Sequence, residues 1–377
     1  MVVYRNMLPL SIHRMNPKAR SLYRIGIGTA IILLLAPSLS VGAAPAPFYE
    51  DPLPRKKTIQ TIGFGSCLRQ NRPAPILNTA NGMNPDLFVF LGDNVYADTT
   101  SPDEMKAAYL KLGSLDSFQA LSRTAEIHAI WDDHDYGAND AGADFEFRQG
   151  AEKIFKWFWQ MENRKPYAKR EGVYASFLYR TSGRFPIKVQ LILLDTRSFR
   201  SALKKKSWWS FLFSSGNRGP YVPDSDPEKT LLGKEQWDWL EHQFTVQADL
   251  RIVASSIQVL SGANGFETWA NFPLEQKKLL ELAVRSSGGT IFLSGDRHFA
   301  EISALDYGGR RLYDVTSSSL NQPLFFEDEH NPLRQGSRFA DSNFGLLRID
   351  DSGKNWSVRM QILDEKGQIR IEEIYRP

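Results

Sequence analysis

The chain contains a single cysteine, Cys67, among 377 residues. A lone thiol excludes an intramolecular disulfide, so the presence of this thiol needs another explanation. An excess of one charge is also lacking, because 46 Lys and Arg against 43 Asp and Glu give a net charge of +3 at pH 7. Part of that excess lies in the basic first residues. The remainder is near neutral, so we expect no nucleic-acid-binding patch.

The sequence also lacks an interdomain linker rich in Ser, Gly or Pro, and it has no internal repeat. From residue 44 onward roughly 330 residues remain, which exceeds the usual size of one domain but still fits one large α/β domain with loop insertions. We therefore expect a single domain over residues 44–377.

No apolar run reaches the length of about 20 residues that a membrane-spanning helix needs. The longest such run near the N-terminus, residues 25–35, is followed by Pro37 and by small residues at 41–43. Basic residues precede it: Arg5, Arg14, Lys18, Arg20 and Arg24. This order predicts a removable signal peptide over residues 1–43 and a secreted or periplasmic protein, with an uncleaved membrane anchor as the alternative.

Short runs of β-branched and aromatic residues alternate with segments of helical periodicity. The runs predict strands over residues 58–65, 87–91, 126–131, 187–194, 251–257 and 290–294. Helices are predicted over residues 102–112, 149–163, 232–244 and 273–286. Later strands are predicted over residues 311–316, 344–350, 356–362 and 368–374, and we expect them to close the fold with an antiparallel sheet. The alternation predicts a layered α/β sandwich with mixed sheets.

Polar residues follow most of the predicted strands within a few positions. They are Cys67, Asp93, Asp133, Asp195, Gln258 and Asp296. Open α/β sheets bind ligands beyond the carboxyl ends of their strands, so distant segments are expected to meet at one rim. Such a rim can assemble a cluster of metal ions from loop residues.

Four segments carry the most specific signal. They are Gly-Ser-Cys at 65–67, Gly-Asp-Asn-Val-Tyr-Ala-Asp at 92–98, Trp-Asp-Asp-His-Asp-Tyr-Gly-Ala-Asn-Asp at 131–140 and Ser-Gly-Asp-Arg-His-Phe-Ala-Glu at 294–301. In order and spacing they resemble the alkaline phosphatase D (PhoD-like) branch of the metallophosphoesterases. The resemblance implies an α/β/β/α sandwich and a metal-dependent hydrolase of phosphomonoesters, phosphodiesters or both.

The resemblance also implies a set of metal ligands, which consists of Cys67, Asp93, Tyr96, Asp133, Asp296 and His298. Cys67 and Tyr96 would bind Fe(III), Asp93 would bridge to a neighbouring ion, and that ion would be Ca²⁺ or another divalent metal such as Mn²⁺ or Mg²⁺. Thiolate and phenolate suit a trivalent iron, whereas carboxylate and water oxygens suit these divalent ions. The simpler alternatives are a buried apolar thiol, a turn residue after Gly92 and a packed tyrosine.

The resemblance makes His134 and Asp133 catalytic residues. His134 would act as general acid or phosphate-orienting group, with a neighbouring carboxylate holding its tautomer. Asn139 and Arg297 are candidate substrate contacts. Asp296 and His298 are expected to alternate along an extended strip and to face the same side, which would turn Arg297 away. Asp195 and Arg197 would either support the site or form a structural ion pair.

Residues 204–213 combine three lysines with Trp and Phe, which fits either peripheral membrane contact or a loop whose aromatic residues fold back onto the domain. Two rival functions follow. One is a phospholipase D-like phosphodiesterase at membranes, and the other is an envelope protein that binds metal and phosphate without catalysis.

Overall fold

The computed structural model describes residues 55–162, 164–167, 170–207, 219–262, 265–324 and 330–377. The predicted signal peptide and the aromatic part of the 204–213 segment lie outside these residues. Among the helices that are described, none combines the length and the apolar character needed to cross a membrane.

The described chain forms two six-stranded sheets. The first contains β1 (Thr61–Gly65), β2 (Leu87–Leu91), β3 (Glu126–Ile130), β10 (Asn343–Asp350), β11 (Ser357–Asp364) and β12 (Ile369–Tyr375), in the order β12-β11-β10-β1-β2-β3. The second contains β4 (Ala175–Arg180), β5 (Lys188–Leu193), β6 (Leu250–Ala254), β7 (Gly289–Ser294), β8 (Ala300–Tyr307) and β9 (Arg310–Ser317), in the order β4-β5-β6-β7-β9-β8.

Seven α-helices connect the strands in the described residues. They are α1 (Ile76–Gly82), α2 (Pro102–Gly113), α3 (Asp116–Thr124), α4 (Asp133–Tyr136), α5 (Arg148–Phe158), α6 (Gly233–Thr245) and α7 (Pro273–Arg285). The Ser101 side chain caps α2 by accepting a hydrogen bond from the Glu104 N–H. The predicted helix over 149–163 was too long, because α5 ends at Phe158 and Gln160 has a φ of 53°.

Apolar side chains alternate along the second sheet and bury both of its faces. Leu191, Ile252 and Ile291 belong to the large core that also contains the first sheet. Their neighbours Ile192, Val253 and Phe292 pack with residues of α6 and α7 in a second core. On the other side of the molecule, Phe90 of β2 contacts Phe118 of α3, with ring centroids 5.7 Å apart. These contacts confirm the predicted α/β/β/α layering.

The C-terminal strands differ from the expectation in one respect. β10, β11 and β12 are antiparallel, as expected, but they extend the first sheet through the pairing of β10 with β1. β9 instead pairs in parallel with β7, and β8 covers the edge of the second sheet. Parallel pairing of β1 to β3 and of β5 to β7 directs the carboxyl ends of the strands in each sheet to one rim, where the polar loops lie.

Candidate metal centre

The loops after β1, β2 and β3 touch each other directly. The Cys67 N–H donates to the Gly92 carbonyl at 3.2 Å, and the Leu68 N–H donates to the Asp93 carbonyl at 2.8 Å. Gly92 has a φ of +102°, and a Cβ there would lie 2.6 Å from the Cβ of Asp132. Only glycine allows the second and third loops to approach this closely.

Left-handed backbone conformations concentrate at this rim. Eight non-glycine residues have positive φ in the described chain. Those at the rim are Cys67, Asp93, Asp98, Asp140, Asp296 and His298. Each such residue costs about 1–2 kcal/mol relative to the right-handed region, so the surrounding structure must hold these side chains in place. Strain of this kind is typical of functional sites.

Asp93 lies at the centre of the candidate site. The Cys67 thiol donates to its Oδ2 at 3.6 Å, and the Tyr96 hydroxyl donates to the same oxygen at 3.4 Å. Its Oδ1 accepts a hydrogen bond from the His134 backbone N–H at 3.4 Å. Burial, together with the nearby Cys67 and Asp133, raises the pKa of Asp93 well above its usual value. A charged carboxylate here therefore needs a cation beside it.

The prediction of an extended strip over residues 296–298 was wrong. Asp296 and His298 have φ values of 70° and 56°, so the chain bends after β7 rather than continuing as a strand. As a result Arg297 does not point away, and all three residues line one pocket. His298 Nδ1 lies 2.7 Å from the Gln322 carbonyl, and this contact fixes Nδ1 as the donor and leaves Nε2 as a free ligand atom.

Ser318 connects two of the candidate ligands. Its Oγ accepts a hydrogen bond from the His298 backbone N–H at 2.7 Å and lies 3.1 Å from the Cys67 Sγ. A thiolate at Cys67 can only accept a hydrogen bond, so once the thiol is deprotonated the Ser318 hydroxyl would donate its proton to the sulfur. Ser318 is thus positioned to stabilise a thiolate at Cys67.

Ser318→Ala is expected to weaken retention of the metal at Cys67 and His298 about tenfold, in the range found when a residue that orients metal ligands is lost. The measurement is competition with a chelator, followed by metal analysis of the protein. Ser319→Ala is the matched control, since its buried hydroxyl has no hydrogen-bond partner among the described residues. Equal metal retention in both variants would contradict this role for Ser318.

The three acidic residues around His134 have different partners. Asp132 Oδ1 accepts from Ser256 Oγ at 2.7 Å and forms an ion pair with Arg197. Asp135 caps α4 and accepts hydrogen bonds from the backbone N–H of Asn94 at 3.1 Å and from the Tyr109 hydroxyl at 2.9 Å. These bonds use both oxygens of Asp135, whereas Oδ2 of Asp132 has no hydrogen-bond partner among the described residues.

Asp133 remains the acid of this run that faces the pocket. Its oxygens accept the backbone N–H groups of His134 at 2.8 Å and of Asp140 at 2.7 Å, and a side-chain hydrogen bond joins Asp133 to Asp93. Burial would raise the pKa of Asp133, but Arg197, His134 and the Asp140 N–H lower it overall. Asp133 is therefore held as a carboxylate, as a metal ligand must be.

His134 is held by Asp98. The His134 Nδ1 lies 2.6 Å from Asp98 Oδ1, and its ring lies 4.2 Å from the Tyr96 ring between centroids. Burial alone would lower the pKa of His134, but the hydrogen bond to Asp98 and the charges of Asp133 and Asp98 raise it to about 9. The carboxylate that orients this imidazole is thus Asp98 from the second loop, rather than one of the acids adjacent to His134 in the sequence.

The pocket over these residues has a volume of about 240 Å³. Asn139 lies exposed at its wall, and Arg297 is buried along it. Asp140 and Glu267 also line the pocket, and the sequence reasoning assigned no role to either. Asp140 belongs to the 131–140 segment, so the sequence offered it as a further candidate ligand. Glu267 follows no predicted strand, and no local pattern marks it.

Asp195 and Arg197 do not form an ion pair with each other. Asp195 accepts from the Trp131 indole N–H at 2.8 Å and from the Val173 backbone N–H at 2.9 Å. The Arg197 guanidinium instead forms ion pairs with Asp132 and, at 2.6 Å, with Glu267. Both residues therefore fix the loops around the site through buried contacts.

The donor atoms suit bound metal ions. Within the part of the chain that the structure describes, four groups of possible ligands have their donor atoms within 4.8 Å of one another, and Asp93 belongs to three of these groups. The groups are Cys67 with Asp93 and His298, Asp93 with Asp133 and His134, Asp93 with Asp132 and Asp296, and Asp133 with Asp140 and Glu267. Burial also raises the pKa of Asp296 to about 7. Buried acids without a sufficient countercharge are the electrostatic environment that a cation relieves.

Comparison with known proteins found a matching family and solved structures of similar fold. The sequence model of the family described as PhoD-like phosphatase matches residues 66–372. A solved structure described as PhoD is 16% identical with a TM-score of 0.62, over 86% of this chain and 71% of that one. Purple acid phosphatase PPD1 from yellow lupin (Lupinus luteus) seeds is 11% identical with a TM-score of 0.55, over 86% of this chain and 55% of that one. No curated protein sequence matches significantly.

Proposed function

Because this chain belongs to the PhoD-like phosphatase family, we propose that it is an exported phosphoesterase whose activity depends on metal ions. The observation that carries the proposal is the position of Asp93, which lies within ligand distance of donor atoms from three other loops. A phosphate ester carries negative charge, and a pocket lined by so many carboxylates can accept it only when cations neutralise those groups.

We assign the metal ligands by their donor atoms. Cys67, Tyr96 and His298 surround one side of Asp93 and would hold Fe(III), whereas Asp133 and Asp296 would hold Ca²⁺, Mn²⁺ or Mg²⁺ with Asp93 between them. Metal ions bound here would supply Lewis-acid activation of the attacking water and of the phosphoryl oxygens. Visible absorption from thiolate or phenolate bound to iron would support the iron assignment if the thiolate band is lost in Cys67→Ser and the phenolate band in Tyr96→Phe.

His134 and Arg297 act directly on the substrate in this proposal. With Nδ1 held by Asp98, the Nε2 proton of His134 is available to the leaving oxygen in the pocket. Arg297 contributes a guanidinium that can hold phosphoryl oxygens, and Asn139 lies at the pocket mouth where the rest of the ester passes.

The test is hydrolysis of nitrophenyl phosphate and bis-nitrophenyl phosphate by protein purified without chelator. Turnover that disappears with chelator and returns with added metal would support the phosphoesterase, and the ratio of the two rates would indicate monoester or diester preference. Bound metal with no turnover of either ester would favour a binding protein. Headgroup release from phospholipid vesicles would instead favour the membrane phosphodiesterase.

Asp98→Asn is expected to slow hydrolysis of alkyl phosphates about a hundredfold and to change nitrophenyl phosphate hydrolysis much less. The reason is that an alkoxide needs a proton from His134 to leave, whereas nitrophenolate leaves without one. The measurement is kcat for glycerol phosphate and nitrophenyl phosphate in the same preparation. Asp103→Asn, an exposed acid in the first turn of α2, serves as control. Equal slowing of both esters would contradict a role for His134 as general acid.

A further inference from the structure

The walls of the pocket differ sharply in polarity. Most of its lining residues carry charged, amide or imidazole groups. Phe266 and Pro220 are the apolar members of this set. Phe266 is 36% exposed, and the other large hydrophobic residues of comparable exposure lie outside the lining.

The residues on both sides of Phe266 are bonded to other segments of the chain. The Tyr221 N–H donates to the Gly265 carbonyl at 2.8 Å, which joins the Phe266 segment to the Pro220 segment. On the other side, Glu267 forms ion pairs with Arg197 at 2.6 Å and with Arg200 at 3.2 Å. Both neighbours of Phe266 are therefore anchored, so the ring is presented to the pocket by fixed backbone.

One face of the ring is used by Arg297, whose guanidinium carbon lies 4.7 Å from the ring centroid. This contact places a phosphate-binding cation beside an exposed aromatic surface. A phosphate ester has the same two parts, a charged phosphoryl group and an organic group one bond away. Arg297 and Phe266 together could therefore contact both parts of one phosphate ester.

We propose that Phe266 forms the binding surface for the organic group of the substrate and that the enzyme prefers phosphate esters of aromatic or heteroaromatic alcohols. This inference rests on the proposed function, because it names the substrate class of the same site. The remaining walls carry carboxylate, amide and imidazole groups. An apolar ring placed against them would remove their water without offering hydrogen-bond partners, which is unfavourable. Only the Phe266 wall gains from contact with a ring.

The volume of the pocket limits the size of that group. At about 240 Å³ it is smaller than the range of roughly 300–1,000 Å³ that is typical for drug-sized ligands. The metal ions of the proposed function would take part of this space, so only a small organic group next to the phosphoryl group stays within the walls. A substrate with a single ring next to its phosphate is therefore expected to fit better than one with a large multi-ring group.

The competing explanation is that Phe266 serves only to hold Arg297. The two explanations differ in what happens to substrates without a ring. Loss of a support for Arg297 would weaken binding of every phosphate ester equally. Loss of a ring-binding surface would weaken only the esters that carry a ring.

The experiment compares the binding of phenylphosphonate and methylphosphonate to the metal-loaded protein by calorimetry. The wild type is expected to prefer phenylphosphonate, and Phe266→Ala should reduce that preference about five- to tenfold by weakening the phenyl ligand alone. In Phe266→Leu, which keeps an apolar surface, the preference for phenylphosphonate should lie between that of the wild type and that of Phe266→Ala. Phe185→Ala is the matched control, since Phe185 is also 36% exposed and lies 5.5 Å from the Arg184 guanidinium, outside the pocket lining.

The KM values for nitrophenyl phosphate and glycerol phosphate give a second readout, with the KM expected to rise in Phe266→Ala for the aromatic ester and kcat to stay within about twofold. Equal weakening of both phosphonates would overturn the inference in favour of the Arg297 support. An unchanged preference would also overturn it. If the wild type binds phenylphosphonate through Phe266 but hydrolyses no ester, the proposed function fails while the binding surface stands.

Discussion

Asp93→Asn is expected to lower metal-dependent hydrolysis by roughly a thousandfold, the upper end of what the loss of one electrostatic group removes from catalysis. An amide offers a single neutral oxygen as ligand, so it cannot bridge two cations as a carboxylate does. The metal content of the variant is expected to fall along with activity. The measurement is kcat for nitrophenyl phosphate together with metal analysis of the same preparation.

The melting temperature of the metal-stripped Asp93→Asn variant shows whether its fold is intact. In the metal-free protein, burial and the neighbouring Cys67 and Asp133 raise the pKa of Asp93, which means that a charge there is unfavourable. Metal-stripped Asp93→Asn should therefore melt no lower than metal-stripped wild type. Asp306→Asn, an exposed acid of β8 paired with Arg311 at 3.1 Å, should change neither activity nor metal content. More than about a tenth of wild-type activity at full metal content would contradict the bridging role of Asp93.

The strand pattern made this site visible from the sequence. Cys67, Asp93 and Asp133 each follow a buried strand, and parallel pairing of β1, β2 and β3 places those strand ends side by side. The convergence of the predicted ligands therefore depended on topology that the alternation of strands and helices already favoured. Their roles as ligands stay predictions, because proximity alone does not establish coordination.

Local sequence could not separate the three acids around His134. Asp132, Asp133 and Asp135 are close neighbours in the chain, yet only Asp133 faces the pocket. The partner that occupies Asp132 is Arg197, which is 65 residues away, and its ion pair forms only when the two sheets pack. A local sequence pattern shows only which residues are close along the chain. Which of the three acids faces the pocket depends on partners such as Arg197 that are distant in sequence.

The sequence did not mark the loop before α7 as part of the pocket, for a related reason. Glu267 and Phe266 lie between β6 and α7, in a segment with no strand or helix periodicity to place them. The bend at residues 296–298 was likewise invisible, because alternating polar residues fit an extended strand as well as a loop with positive φ. The two sheets were predictable because burial imposes a regular pattern, whereas these loops are fixed by individual contacts.

Arg197 is expected to be the most important single residue for stability beneath the site. Its guanidinium forms ion pairs with Asp132 and Glu267, and all three side chains are at most 2% exposed. Although burial would lower the pKa of Arg197, these two carboxylates raise it, so the arginine stays charged. Arg197→Met would leave two buried carboxylates without their cation and should lower the free energy of unfolding by about 3–5 kcal/mol.

Urea denaturation of metal-stripped protein measures this loss. Arg251→Met is the matched control, because Arg251 is also fully buried but donates to the backbone carbonyls of Phe244, Val246 and Ser287 rather than to acids. Its variant frees no buried charge, so it should lose less stability. An equal loss in both variants would contradict the electrostatic explanation.

Neutralising the two acids in the Arg197→Met background provides the decisive comparison. If the loss comes from unpaired charge, adding Asp132→Asn and Glu267→Gln should restore much of the stability, because the buried groups no longer need a cation. Activity should stay low in the triple variant, since Glu267 lines the pocket and the ion pairs that tie its loop to the loop of Asp132 are lost. Stability without activity would separate the two tasks of this network, which are to compensate buried charge and to position the catalytic loop.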